Sequence, residues 1–163
     1  MNEKVGQGLT DAVTGGLFHC RVYYEDTDLA GVVYYANYLK FIERARSEWV
    51  RGLGIDQVRL KAEAGLVFAV SRIEADYLSP ARFDDALTVS TTPEALGGAR
   101  MVLDQRVSRG ETLCFRAKVT LVALGASGAP QRLPGVSPSL WRTLAAENAN
   151  VRTVALDSSQ VMR

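Results

Sequence analysis

Three carboxylates, Glu25, Asp26 and Asp28, lie within four residues, just ahead of a long amphipathic segment. A carboxylate there can cap the unpaired N–H groups of a helix start, which is its commonest role. It can also act as a nucleophile or general base while one of those N–H groups stabilises a developing negative charge. Asp28 stands too far from the apolar stripe for a simple cap, and the intervening residues are too apolar for an exposed loop. These features favour an inward-folded segment and a catalytic Asp28, with Glu25 and Asp26 as local hydrogen-bonding groups.

A strand before Asp28 and a helix after it would position this carboxylate. Apolar and polar residues alternate over 18–24, which is typical of a strand. The helix is predicted to begin near Tyr35 or Ala36 and to end at Gly54, since glycine suits a helix stop. Its apolar residues recur at spacings of three and four and form one stripe, namely Tyr38, Phe41, Ile42, Ala45, Trp49 and Leu53.

The rest of the pattern is mostly that of β-strands. A short helix is expected over 56–64, and alternating apolar residues then predict four strands, at 66–78, 86–93, 100–108 and 112–124. Glycine-containing turns at 97–98 and 109–111 separate the last three strands as hairpins. One long helix followed by consecutive strands predicts an α+β fold in which an antiparallel sheet wraps around the helix.

The length of 163 residues fits one domain. We expect a flexible N-terminal tail over 1–16 and the folded domain over 17–135. A stretch rich in Pro, Gly and Ser at 125–139 ends this domain. A C-terminal extension over 136–163 follows, with a short helix expected around 141–147.

The composition narrows the possible functions. A formal net charge of +1 argues against a broad nucleic-acid-binding surface. The two cysteines, Cys20 and Cys114, lie far apart and form no CxxC motif, so we expect free thiols and no zinc site. No apolar run is long enough to span a membrane, and the N-terminus lacks a secretory signal pattern. The sequence therefore predicts a cytoplasmic protein that needs no metal or other cofactor.

The segment 23–48, YYEDTDLAGVVYYANYLKFIERARSE, resembles the signature of the 4-hydroxybenzoyl-CoA thioesterase family. It is especially similar to the Tol–Pal-associated acyl-CoA thioesterase branch, and so is 76–85, DYLSPARFDD. The resemblance covers roughly residues 18–135. It implies a hotdog fold, in which an antiparallel sheet wraps a long central helix, and hydrolysis of acyl-CoA to a free acid and CoA. It also implies active sites shared between two subunits, in a homodimer or homotetramer.

Carried over residue by residue, the resemblance makes Asp28 the catalytic carboxylate. It makes Tyr35 the residue whose backbone N–H polarises the thioester carbonyl; the Tol–Pal-associated branch often has histidine there. The expected substrate-binding residues are Gly31, Val32, Tyr34, Tyr38 and Arg100. The family's basic cluster for the CoA nucleotide falls on the uncharged residues 97–99 of this chain. Arg100 is included because it is the basic residue nearest to those positions.

Other functions stay open on the sequence alone. An acyl carrier protein could replace CoA as the carrier of the acyl group. A non-catalytic acyl-CoA-binding module would share the fold, although retention of Asp28 argues against it.

A hydratase acting on enoyl-CoA typically needs an Asp/His pair, and His19, the only histidine, lies on a predicted strand. A serine triad would need that histidine and a G-x-S-x-G motif, which is absent. Glu43 is interpreted as a polar helix position.

Overall fold

The computed structural model describes residues 15–132, and these residues form one sheet and two helices. The strands are β1 (Gly16–Arg21), β2 (Val67–Tyr77), β3 (Ala86–Gly97), β4 (Arg100–Arg109) and β5 (Thr112–Leu124), and the helices are α1 (Asn37–Gly52) and α2 (Gln57–Ala64). A single 3-10 turn, Tyr24–Asp26, lies between β1 and α1. The predicted α+β class is confirmed.

The five strands form one antiparallel sheet in the order β1-β3-β4-β5-β2. Tight turns join β3 to β4 and β4 to β5, and the turn glycines Gly98 and Gly110 have positive φ, as predicted for hairpins. β1 and β2 therefore form the two edges of the sheet. Among the described strands β2 pairs only with β5, although the chain continues from β2 into β3, which lies near the opposite edge.

α1 packs its apolar stripe against one face of this sheet. The predicted stripe is buried at Tyr38, Phe41, Ile42, Ala45 and Trp49, and it packs against inward-facing residues of β3, β4 and β5. Burial of such side chains is worth about 1.5–3 kcal/mol each. The spacing that predicted the helix is therefore also what holds it on the sheet.

One buried amide fixes where α1 sits on the sheet. Gln105 of β4 has no solvent exposure, and its Nε2 donates to the Ile42 carbonyl at 2.8 Å and to Thr91 Oγ1 at 2.8 Å. Its Oε1 accepts a hydrogen bond from Arg46 Nη1 at 3.0 Å. Because a buried polar group is costly unless it is paired, this network favours one position of the helix along the sheet.

The element boundaries depart from the predicted ones for identifiable reasons. β1 ends at Arg21 because Val22 instead exchanges backbone hydrogen bonds with Asp84 and Asp85, in the loop before β3. β3 continues past Pro93, where a bulge shifts the register and lets a residue without an N–H stay in the strand. α1 begins at Asn37, one or two residues after the predicted start.

Several predictions fall on residues that the structure does not describe. The expected tail 1–16 lies outside the described range except for Gly15 and Gly16. Gly16 is already part of β1, where it pairs with Thr91 of β3. The expected helix around 141–147 and the extension 136–163 lie wholly outside it. Within residues 15–132, neither helix has the length and apolarity needed to cross a bilayer.

Candidate active site

The acidic segment folds as a small hairpin between β1 and α1. Thr27 pairs with Val33, and the Asp28 N–H donates to the Val32 carbonyl at 2.9 Å. The Gly31 N–H donates back to the Asp28 carbonyl at 3.0 Å and closes the turn. Gly31 has φ +78°, a conformation that a side chain would strain. Gly31 is therefore needed for the turn that carries Asp28.

The Asp28 side chain is exposed and held by one of its two oxygens. Oδ1 accepts hydrogen bonds from the N–H groups of Ala30 at 2.9 Å and Val32 at 3.4 Å. Oδ2 has no hydrogen-bond partner among residues 15–132. Asp28 thus does two things: one oxygen fixes the turn, as turn aspartates commonly do, and the other is available to a ligand.

The expectation that this segment folds inward is wrong for its tip. Val33 is buried and Val32 half-buried, whereas Leu29 is fully exposed beside Asp28. The turn projects from the chain, and no described residue packs over it. The apolar side chain at the tip, Leu29, is therefore exposed to solvent in a single chain.

Hydrogen bonds to backbone carbonyls connect the acidic hairpin to the start of α1, and one of them joins Asn37 Nδ2 to the Glu25 carbonyl at 3.5 Å. The Asp26 carbonyl accepts a hydrogen bond from the Tyr34 N–H at 2.8 Å and another from Asn37 Nδ2 at 3.0 Å. Asn37 is buried, so its amide is held in this geometry. The Asp26 side chain, also buried, accepts from the Tyr23 N–H at 2.8 Å, which is the local role expected for it. The hairpin and the helix start therefore have a fixed relative position.

The N–H of Tyr35 points out of the helix end. The Tyr34 carbonyl, in the same peptide group, accepts from the Asn37 N–H at 2.8 Å. A trans peptide places C=O and N–H on opposite sides, so the Tyr35 N–H is directed away from the helix. It has no acceptor within the described part of the chain. A free donor at the positive end of a helix is suited to stabilising an oxyanion.

The loop before β3 supports this hairpin from the sheet side. The Val33 N–H donates to the Ala81 carbonyl at 2.8 Å, and Val32 pairs with Arg82. Arg109 of β4 donates to the Pro80 carbonyl at 2.9 Å. The two segments that carried the resemblance, 23–48 and 76–85, are thereby in contact.

The three tyrosines at the helix start occupy two environments. Tyr34 and Tyr35 are exposed and have their rings 4.8 Å apart. Tyr38 is only 3% exposed, stacks on Phe115 at 4.9 Å and accepts the Ala81 N–H at 3.2 Å through its hydroxyl. Desolvation raises the pKa of Tyr38. In this chain Tyr38 supports the site from the core, whereas Tyr34 and Tyr35 form its surface.

Two of the other candidates lie away from this cluster. Arg100 begins β4, roughly 30 Å from Arg109 at the strand's other end, given about 3.3 Å per residue. The structure does not bring Arg100 to the Asp28 hairpin of its own chain. His19 of β1 hydrogen-bonds Thr88 at 3.2 Å.

Three further side chains considered from the sequence are Glu43, Cys20 and Cys114. Glu43 accepts the Ser47 hydroxyl at 2.8 Å and is exposed, as a polar helix position should be. Cys20 and Cys114 are free thiols, and burial raises the pKa of both. Within residues 15–132, no three His, Cys, Asp or Glu side chains are grouped so as to hold a metal ion.

Sequence reasoning missed two residues that shape the site. Asn37 is the polar residue that fixes the helix start, and its position beside the apolar stripe was a usable signal. Tyr77, the last residue of β2, donates its hydroxyl to the Tyr35 carbonyl at 3.0 Å. No spacing rule predicts a side-chain contact with a backbone carbonyl 42 residues away.

A five-stranded antiparallel sheet packed against one long helix, with an acidic hairpin before the helix start, defines a hotdog-fold protein. A probable thioesterase from Bartonella henselae has this fold, with a TM-score of 0.71 and 39% identity over 74% of this chain and 99% of that one. A 1,4-dihydroxy-2-naphthoyl-CoA thioesterase from Synechocystis also shares the fold, with a TM-score of 0.70 and 24% identity over 81% and 96% of the two chains.

Sequence comparison then gives the family. The model of the Thioesterase superfamily matches residues 30–120. The acyl-CoA thioesterase YbgC of Haemophilus influenzae is 44% identical over 113 residues, which cover 68% of this chain and 83% of that protein. The chain belongs to the thioesterase superfamily, which confirms the resemblance drawn from its signature segments.

The Asn37 amide offers a direct test of how the hairpin is held. We expect Asn37→Asp, a change of similar shape, to place a carboxylate oxygen against the Asp26 carbonyl and to lower the free energy of unfolding by about 1–3 kcal/mol. Urea denaturation measures this loss. Gln57→Glu makes the same change at an exposed position and should stay within about 0.5 kcal/mol of wild type. An Asn37→Asp variant as stable as wild type would contradict the assigned hydrogen bond.

Proposed function

We propose that this chain hydrolyses acyl-CoA thioesters to a free acid and CoA. The observation that carries the proposal is a free carboxylate oxygen on Asp28 and a free N–H on Tyr35, held in a fixed relation by the Asp26 carbonyl. The names of the relatives add support, since proteins 43–44% identical to this chain are called acyl-CoA thioesterases or thioester hydrolases.

The proposed chemistry needs one base or nucleophile and one oxyanion donor. A thioester carbonyl lacks the resonance that protects an amide, so a carboxylate or an activated water can attack it. Asp28 can attack directly, forming a mixed anhydride as the CoA thiolate leaves and takes up a proton; water then hydrolyses the anhydride. Alternatively, Asp28 removes a proton from water as that water attacks. In both routes the Tyr35 N–H stabilises the negative carbonyl oxygen.

The site has an apolar floor suited to an acyl group. Ile73, Ala75 and Tyr77 of β2 point to the helix side of the sheet, beyond the edge of α1, and they remain exposed. Tyr34 and Tyr35 continue this surface at the helix start. We propose that Gly31, Val32 and Tyr34 contact the substrate beside Asp28. An acyl group carried by CoA or by an acyl carrier protein would meet the same surface.

We further propose that two chains complete each site, in a homodimer or homotetramer. β2 is an 11-residue edge strand whose outer side is unpaired within residues 15–132, and its exposed apolar residues include Val67, Val70 and Ile73. Such an edge is normally covered or paired. A second copy across β2 would cover this surface and the exposed tip at Leu29. Arg100, remote from Asp28 in its own chain, could then serve a neighbouring site.

Two rival functions remain testable alongside hydrolysis. A non-catalytic acyl-CoA-binding module would bind the substrate and release no thiol. A hydratase would need a base such as His19 of β1, which is hydrogen-bonded to Thr88 of β3. A thiol-release assay across aliphatic and aromatic acyl-CoAs separates hydrolysis from both alternatives. Complete absence of release, with tight binding, would refute the proposed function.

Removal of the Asp28 carboxylate should abolish most of the activity. We expect Asp28→Asn to keep the turn, because an asparagine oxygen can accept the same N–H groups, and to lose about 10²- to 10⁴-fold in kcat. Thiol release measures kcat. Asp56→Asn is the matched control, since it retains the cap on the Arg59 N–H and should keep wild-type kcat. An Asp28→Asn variant with more than a tenth of wild-type kcat would rule out the assigned role.

The two groups of Tyr35 can be separated by two substitutions. Tyr35→Phe keeps the N–H and should leave kcat within about fivefold of wild type, because only a peripheral hydrogen bond is lost. Tyr35→Pro removes the N–H, and loss of an oxyanion donor costs roughly 10²- to 10³-fold in kcat. Proline is tolerated near a helix start, and circular dichroism checks the fold. The opposite order of the two kcat values would identify the phenol as the catalytic group.

The oligomer prediction concerns the exposed face of β2. Light scattering should give a mass of at least twice the 17.7 kDa of one chain. Ile73→Lys should shift the protein toward the monomer because it places a charge in the proposed apolar contact. Val58→Lys introduces the same charge on the exposed face of α2 and should leave the mass unchanged. A wild-type mass near that of one chain at micromolar concentration would contradict the proposal.

A further inference from the structure

The hydroxyl of Tyr77 makes the only side-chain hydrogen bond to Tyr35 backbone within residues 15–132. It donates to the Tyr35 carbonyl at 3.0 Å from the end of β2. The Tyr77 ring is held by edge-on contacts with Tyr38 and Phe115, at centroid distances of 5.8 and 5.1 Å. Desolvation and the neighbouring Tyr35 phenol raise the pKa of Tyr77, so it stays a protonated donor at neutral pH.

The carbonyl that accepts this hydrogen bond lies before the first residue of α1. In a helix that began earlier, the Leu39 N–H would donate to the Tyr35 carbonyl. Here it donates instead to the Ala36 carbonyl at 3.2 Å. Without Tyr77, no donor among residues 15–132 would bond the Tyr35 carbonyl. Tyr77 therefore fixes a peptide group that the helix ladder does not fix.

Tyr35 is consequently anchored on both sides. The peptide group before it is held where the Asn37 N–H bonds the Tyr34 carbonyl, and the peptide group after it is held by Tyr77. The direction of the Tyr35 N–H depends on the backbone between these two anchors. A misplacement of about 1 Å at a reacting centre can cost as much as 10²-fold in rate.

We propose that Tyr77 is a positioning residue for the oxyanion donor. Its hydroxyl, supplied by the sheet edge, holds the Tyr35 backbone so that the N–H faces the carbonyl under attack. The inference rests on the proposed function, and it adds a residue from β2 to a site otherwise built from the hairpin and α1. The ring of Tyr77 is structural, and the hydroxyl carries the positioning role.

The substitution Tyr77→Phe removes the hydroxyl and keeps the ring. We expect kcat for thiol release to fall about tenfold, with KM within twofold of wild type and an unchanged melting temperature. Tyr24→Phe is the control: its phenol bonds no described residue, its ring still stacks on Phe83, and its kcat should match wild type.

A double variant tests whether Tyr77 acts through Tyr35. In the Tyr35→Pro background the donor is already absent, so adding Tyr77→Phe should change kcat less than twofold. A full tenfold loss of kcat in the double variant would overturn the inference. A Tyr77→Phe single variant with wild-type kcat would also overturn it. The same holds if the single variant's melting temperature falls enough to account for its lower kcat. A wild-type chain inactive on every acyl-CoA would instead refute the proposed function.

Discussion

The carbonyl of Asp26 is the acceptor on which the geometry of the site depends. It receives the Tyr34 N–H and the Asn37 amide together, so the hairpin that carries Asp28 cannot shift without breaking one of these bonds. Both donors belong to the start of α1, and that helix is itself fixed on the sheet by its apolar stripe and by Gln105. The position of one exposed carboxylate is thus set by the packing of the whole core.

The proposed site lies where three elements meet. The hairpin supplies the carboxylate, the helix start supplies the N–H, and the edge strand supplies a hydroxyl that contacts the same backbone. Each group is small and partly exposed, so none could hold its own position in water. The buried rings of Tyr38 and Phe115 provide the rigidity, because Tyr77 packs on both of them. Precision at the surface is therefore supplied by aromatic packing below it.

Sequence periodicity predicted the elements well, since side-chain spacing is the same property that drives burial of the α1 stripe and of β5. Residue type and position favoured Asp28, and the family resemblance added Tyr35. Sequence reasoning failed where backbone atoms act. The Asp26 carbonyl would be present with any residue at that position, and the Tyr77 contact joins residues distant in sequence. The expected inward fold was wrong at the tip, Leu29, because the apolar character of a residue does not show which surface covers it.

The two edges of the sheet differ in a way that bears on aggregation. β2 spans 11 residues and β1 only six, and β1 leads directly into the turn at Tyr24. An antiparallel pairing of two β2 strands would use up the long edge of each subunit and leave only the short ones at the ends of the joint sheet. Addition of further chains would then have little backbone to pair with. The unequal edges thus favour a closed particle over a growing fibre.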